Sequence, residues 1–244
     1  TDDSVRMIHK RQTLAKASDP MRNLRIIKKF VEDSETEDAR QLFYLAQEYA
    51  SIGDFENATK TYERYVEITG WEDEKCIALT RLSEIYTQRG DFKAAVGAAT
   101  RSITVKEDWC ETYFALAKAY YYWAAAEPNP DQRRRHYERC VKFCKLGFTM
   151  PPTETVLFVN PQDTSLEIHR FFNVALNAIG DTKGALDSVN SGLKVKPKDE
   201  PLLFNKRLYE EHLLKAEITE NLRKLKEMGT DVTSIAIVEK SSTS

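Results

Sequence analysis

The chain has 244 residues, of which 41% are hydrophobic and 30% are charged, and its formal net charge is −2. This composition can supply a buried core, but no segment approaches the roughly 20 apolar residues that a membrane-spanning helix needs. Lys and Arg are interspersed with Asp and Glu, which argues against a nucleic-acid surface. Four cysteines without framework spacing predict reduced thiols in a cytoplasmic protein.

The N-terminal part begins with a polar segment, residues 1–18, that does not resemble a secretory signal. Residues 19–38 then predict a single capping helix. Leu24, Ile27 and Phe30 recur at helical spacing and are expected to form its buried stripe, with Asp19 as the N-cap.

Two segments that begin at residues 42 and 79 repeat one pattern. They read LFYLAQEYASIGDFENATKTYERYVEI and LTRLSEIYTQRGDFKAAVGAATRSITV. Leu45 and Leu82 are 37 residues apart, and a third copy places Leu116 34 residues further on. A period of 34 residues is typical of tetratricopeptide (TPR) repeats, in which each unit is a pair of helices.

The physical pattern agrees with this period. In each first helix a Leu, a small residue and a Tyr share one helical face, which predicts that the face is buried. Gly53-Asp54 and Gly90-Asp91 predict the turns, because glycine tolerates a left-handed helix end and aspartate caps the next helix. The small contacts expected on the second helices are Ala58 and Ala95.

The third copy departs from the pattern. Its turn is predicted to be expanded over residues 123–132, with a second helix from about Asp131 to Gly147. A connector of residues 153–165 precedes a fourth copy, which is recognisable from Gly180-Asp181 and Ala185. Residues 199–229 predict C-terminal capping helices with a polar outer face. Residues 230–244 are a tail or the start of a further domain, with a short strand at Ser234–Val238.

The predicted fold class is therefore all-α. We expect a right-handed α-solenoid of about four TPR-like helix pairs over residues 39–198, flanked by the two capping regions.

The order of short motifs carries a second, narrower resemblance. The motifs are SVRMIHKR, RNLRII, LFYLAQEY, GDFENA, a Gly70-Trp71 insertion with Glu74-Lys75, and LFVNP. This order resembles the helical repeat region that follows the catalytic domain in certain family-2 (GT-A type) glycosyltransferases. The resemblance implies that residues 1–18 are a linker or the end of that preceding domain.

The resemblance also implies a metal and a nucleotide sugar in the parent protein, but neither cofactor in this chain. The family holds its metal with an Asp-x-Asp motif, and no such motif occurs here. His9 matches a late histidine that can join the metal shell, since imidazole and carboxylates can share a divalent cation. Otherwise His9 is an exposed side chain near a chain end.

His136, Cys140 and Cys144 are spaced four residues apart and share one helical face. This set either begins a zinc site or fills small packing positions of the repeat, and the spacing of the repeat favours packing. No catalytic residue is expected in this chain, because no histidine is linked by a motif to a nucleophile.

The first helices of such repeats line an inner surface, and their register predicts a partner-binding groove of aromatic and polar residues. The predicted groove residues are Arg40, Phe43, Gln47, Glu84, Thr87, Phe114, Lys118, Tyr121, Arg170 and Asn177.

Two functional hypotheses follow. The chain is a non-catalytic module of a glycosyltransferase that binds a partner polypeptide or a second copy of itself, or it is a free-standing adaptor that binds a peptide in its groove.

Overall fold

The computed structural model describes residues 19, 21–155, 157 and 166–228. Within these residues the structure contains helices and no β-strand, which confirms the predicted all-α class. The helices are α1 (Arg22–Asp33), α2 (Ala39–Ser51), α3 (Phe55–Ile68), α4 (Glu72–Gln88), α5 (Phe92–Val105), α6 (Cys110–Ala126), α7 (Pro130–Thr149), α8 (Ile168–Ala178), α9 (Thr182–Val195) and α10 (Glu200–Glu227).

The chain divides into two compact units, Thr1–Thr69 and Gly70–Ser244. The first contains α1 to α3 and the second contains α4 to α10. The predictions for residues 1–18, for most of the connector and for the strand at Ser234–Val238 lie outside the described residues.

In the N-terminal unit, α2 and α3 pack around buried aromatic rings. The ring centroid of Phe43 lies 6.1 Å from that of Tyr62 and 5.2 Å from that of Tyr65. The helix α1 packs on α2 and buries Leu24, but Phe30 is exposed. The stripe predicted on α1 is therefore only partly correct, because α2 covers just the side that carries Leu24.

Three tight turns have the predicted Gly-Asp chemistry. Each following aspartate accepts a hydrogen bond from the backbone N–H three residues later, as Asp91 does from Ala94 at 3.1 Å. This bond caps the second helix of the pair. The glycines are Gly53, Gly90 and Gly180, with φ angles of 79°, 77° and 97°.

Small residues lie where the helices of a pair approach closely. A Cβ atom added to Gly147 would lie 2.6 Å from Cε1 of Phe114, and one added to Gly192 would lie 2.6 Å from Cδ1 of Leu202. These approaches therefore require glycine. The alanines that are fully buried on the second helices are Ala58, Ala95, Ala99 and Ala185.

The turn of the third pair is shorter than predicted. Helix α6 continues to Ala126 and α7 begins at Pro130, so only residues 127–129 connect them. The extra residues lengthen the helices because alanines at 124–126 favour helix. The side chain of Asn129 caps α7 by accepting hydrogen bonds from the N–H groups of Asp131 and Gln132 at 3.0 and 3.1 Å.

The predicted C-terminal capping region forms one helix of 28 residues, α10. Leu202 and Tyr209 are buried on its inner side. The buried amide oxygen of Asn173 on α8 accepts hydrogen bonds from the Tyr209 hydroxyl at 2.9 Å and from Asn205 at 2.8 Å. This network fixes the start of α10 against the fourth pair. Among the described helices, none is long and apolar enough to cross a membrane.

Candidate partner-binding surface

Three of the predicted groove residues are part of the core. Phe43 packs against Tyr62 and Tyr65 of α3, as described above. Thr87 is buried, and its hydroxyl donates to the carbonyl of Ser83 at 2.8 Å. These two assignments to an open groove are wrong, because each side chain is already in contact with its own helix or helix pair.

Phe114 is the third correction. Its ring occupies the space left by the missing side chain of Gly147 and lies 5.3 Å from the ring of Phe148. It is therefore buried between α6 and α7, although its place in the repeat predicted an open position. The glycine that makes room for it is on a different helix, so the register of α6 alone does not reveal the contact.

Arg40 and Gln47 are exposed on α2 in the N-terminal unit, and the Arg40 Nε donates to the Tyr44 hydroxyl at 3.1 Å. Apart from Phe43, the other predicted residues belong to the C-terminal unit, where α6 contacts both α4 and α8.

The open side of α6 carries Lys118, Tyr121 and Tyr122. Lys118 and Tyr121 are half-buried, whereas Tyr122 exposes 46% of its surface. Tyr122 was not among the predicted groove residues. Its adjacency to Tyr121 was the available signal, because an open helical face is wide enough to include two consecutive residues.

Tyr121 is held by other aromatic side chains. Its ring centroid lies 5.7 Å from that of Phe171 on α8, 6.2 Å from that of Tyr137 on α7 and 5.2 Å from that of Tyr122. Burial raises the pKa of Tyr121, so its hydroxyl is a neutral donor at physiological pH.

Lys118 in this row is paired, since its Nζ atom lies 3.4 Å from the carboxylate of Glu167. On α4, which also contacts α6, Arg81 lies 2.8 Å from Glu84. The open side of α6 therefore combines aromatic rings with an ion pair.

Arg170 and Asn177 on α8 have structural contacts. The Arg170 guanidinium lies 2.5 Å from the carboxylate of Asp199, which is buried at the start of α10. Hydrogen bonding to Arg170 lowers the pKa of Asp199, so this carboxylate stays ionised. The Asn177 side-chain oxygen accepts from Thr182 at 3.0 Å. Both residues border the surface but mainly connect α8 to its neighbours.

The cysteines of α7 are packing residues. Cys140 and Cys144 are fully buried in the core of the C-terminal unit, and burial raises the pKa of Cys144 well above its usual value. A neutral buried thiol acts as a small apolar side chain, which confirms the packing interpretation. No group of three metal-binding side chains occurs within the described residues. His9 lies outside them.

Comparison with known proteins identifies the fold. No family model matches the chain, and no curated protein matches it. Similar solved structures include a thermophilic TPR protein from Thermus thermophilus, with TM-score 0.52 and 14% identity over 84% of this chain and 99% of that one.

Two further solved structures are similar to this chain. The C-terminal part of a TPR repeat-containing protein from Cytophaga hutchinsonii gives TM-score 0.53 and 14% identity over 78% of this chain and 65% of that one. MamA from Desulfovibrio magneticus gives TM-score 0.51 and 14% identity over 75% and 89%. The chain therefore has the all-α solenoid fold of TPR proteins.

Proposed function

We propose that the C-terminal unit is a non-catalytic protein-interaction module that holds an extended polypeptide against α6. The observation that carries the proposal is the row of Lys118, Tyr121 and Tyr122, in which an exposed phenol ring stands beside a half-buried one. Repeat proteins of stacked helix pairs use extended surfaces of this kind to bind partners. The TPR-type neighbours of known structure support the same role.

The aromatic row is well suited to a peptide because it is already ordered. Tyr121 is in contact with rings from α7 and α8, so little side-chain entropy is lost when a partner covers it. Tyr122 offers a large apolar ring and a hydroxyl at the surface. The partner is expected to contribute an apolar side chain to these rings and polar backbone groups to the hydroxyls.

The balanced charges indicate which partners fit. Because Lys118 and Glu167 neutralise each other, the surface has no strong preference for acidic or basic segments. The expected partner is a polypeptide of low net charge, and its affinity should depend only weakly on salt.

The test compares two aromatic residues of similar exposure. Peptides would be selected from a random library against the full chain, and their affinities measured by fluorescence anisotropy. Tyr122→Ala should weaken binding about tenfold, which corresponds to ~1.4 kcal/mol. Phe148→Ala is the matched control, since Phe148 exposes 44% of its surface on α7 against 46% for Tyr122.

The control should bind with wild-type affinity. Equal losses in both variants, or failure to select any peptide, would contradict the proposal. Thermal unfolding of each variant distinguishes lost contacts from a lost fold.

The wider context that we propose is an accessory region of a glycosyltransferase, and its support is the motif order from SVRMIHKR to LFVNP. In that context this chain would hold the acceptor polypeptide. A catalytic domain outside it would bind the nucleotide sugar and the divalent metal, with His9 as a metal ligand. The four cysteines are free and buried, which fits a cytoplasmic location.

A free-standing adaptor is the alternative. The coding sequence upstream of Thr1 separates the two contexts: an α/β domain with an Asp-x-Asp motif supports the first, and a start codon close to Thr1 supports the second.

A further inference from the structure

The C-terminal helix α10 has two apolar faces. One carries the buried residues Leu202 and Tyr209 and packs against the fourth helix pair. The opposite face carries Phe204, Leu214 and Ile218, which expose 61%, 57% and 38% of their surfaces. A helix that packs along one side normally has polar residues on the other. The second face therefore needs a partner that the described part of the chain does not provide.

The length of α10 explains why the second half of this face is open. Its 28 residues extend for about 42 Å, whereas the 14 residues of α9, its antiparallel neighbour, extend for about 21 Å. The second half of α10 therefore continues beyond α9. Ion pairs within the helix, such as Arg223 with Glu220 at 2.8 Å, support this part but leave its apolar side chains uncovered.

A row of exposed and half-buried residues on α10 follows a heptad pattern, and one of them, Leu208, also packs against the core. Seven residues alternate at spacings of four and three, which is the pattern of a two-stranded coiled coil. The third and fourth positions are charged and the other five are apolar. The seven residues are Phe204, Leu208, Glu211, Lys215, Ile218, Leu222 and Leu225.

The two charges decide between the possible orientations of a second α10. Within one chain Glu211 and Lys215 lie 2.6 Å apart. A parallel, in-register pair of helices would place each of these charges opposite its own copy, which is repulsive. An antiparallel pair centred on residue 213 places Glu211 opposite Lys215 of the partner subunit, and the reverse.

The same antiparallel register matches the apolar residues. It places Phe204 opposite the partner's Leu222 and Leu208 opposite the partner's Ile218. One patch is thus complementary to itself about a two-fold axis, as a closed dimer requires. A polar residue such as Lys at an a position of a heptad seam can also specify register, at a cost in stability.

We propose that α10 mediates homodimerisation by pairing with α10 of a second copy in an antiparallel coiled coil. This proposal is independent of the peptide-binding role of α6, since the two surfaces share no residue.

The decisive test uses full-length chains and measures mass by sedimentation equilibrium. The wild type should dimerise, whereas Glu211→Lys and Lys215→Glu should each be monomeric because each places like charges together. An equimolar mixture of these two variants should dimerise again, since both central pairs become complementary. A wild type that is monomeric at every concentration, or a mixture that stays monomeric, would overturn the proposal.

Matched controls make the same charge changes on the far side of α10. Glu217→Lys and Lys224→Glu should remain dimeric, and dissociation equal to that of the seam variants would contradict the seam. Circular dichroism should show the same helical content in all four variants.

Cysteine cross-linking tests the orientation. Phe204→Cys mixed with Leu222→Cys should form a disulfide-linked heterodimer, whereas neither variant alone should cross-link, and the native cysteines are buried. Cross-linking of each variant with itself would indicate a parallel pair and overturn the proposal.

Discussion

The second and third helix pairs share one architecture but fill their interiors differently. In the second pair, the buried residues of α5 are Ala95, Ala98, Ala99 and Ser102, and α4 contributes Leu79 and Leu82. Small residues on one helix thus face aliphatic residues on the other.

The third pair has large rings instead. Tyr120 stacks on Trp123 and Phe143 with centroid distances of 6.0 and 5.6 Å, and Phe114 lies over Gly147. The small buried residues of α7 are a glycine and two cysteines, whereas those of α5 are mostly alanines. The repeat period therefore determines the position of a buried residue. The size of that residue depends on the side chain that it contacts on the other helix of the pair.

The substitutions with the largest expected effects disrupt the contact between the Phe114 ring and Gly147. Phe114→Ala should lower the free energy of unfolding by about 3–5 kcal/mol, because it opens a cavity between α6 and α7. Gly147→Ala should lower it by about 1–3 kcal/mol, because the added Cβ would lie 2.6 Å from the Phe114 ring. Urea unfolding monitored by circular dichroism measures both.

The double variant sharpens this prediction. If the two residues are complementary, Phe114→Ala with Gly147→Ala should cost less than the sum of the single changes. Additive costs would show that the contact does not determine the volume at either position.

This contact also marks the limit of prediction from the sequence. The Gly-Asp turns and the buried alanines were predictable because their chemistry lies within a few residues of one period. Phe114 was assigned to an open groove because its partner, Gly147, is on another helix. The space available to the Phe114 ring depends on Gly147 and not on the sequence pattern within α6.

The candidate surface was predictable to a similar extent. The register of α6 predicted Lys118 and Tyr121 as groove residues, and in the structure both are half-buried. Arg170 was predicted to be available, but the buried carboxylate of Asp199 binds it. Because that ion pair joins two helices, the sequence pattern within α8 alone could not predict it.

Substitutions with an intermediate effect on stability distinguish the turn of the second pair from the turn of the third pair. Gly90 in the second pair has φ of 77°, so Gly90→Ala should destabilise the chain by about 1–2 kcal/mol. Gly97→Ala is the matched control, because Gly97 lies inside α5 with nothing within 4 Å of an added Cβ. There alanine should stabilise by about 0.5–1 kcal/mol.

The turn of the third pair relies on a side chain instead of a glycine. Asn129→Ala should cost about 1 kcal/mol, since it removes the acceptor for two N–H groups at the start of α7. Thermal unfolding of the Gly90, Gly97 and Asn129 variants checks the expected order of their stabilities. If Gly90→Ala leaves the stability unchanged, the left-handed backbone conformation at this turn is not required.

The smallest expected effect depends on a histidine that the third pair has and the second pair lacks. The ring of His136 lies 4.3 Å from that of Trp123 and 6.0 Å from that of Tyr120. It is buried, and its Nδ1 atom has no hydrogen-bond partner among the described residues. Burial lowers the pKa of His136, and the nearby Arg139 lowers it further, while Glu127 has a weaker opposite effect.

The sign of the pH dependence follows from this lowered pKa. As pH falls, the unfolded chain binds the proton first, at a pKa of about 6.5. Stability is therefore complete above that pH and decreases as pH falls toward the lower pKa of the folded state. His136→Phe should reduce this loss when urea unfolding is compared at about pH 8 and about pH 5. Some pH dependence should remain, because burial also lowers the pKa of His169. If the loss is the same in the variant and the wild type, the stack around Tyr120 already tolerates a charged imidazole, and the third pair is no more sensitive to acid than the second.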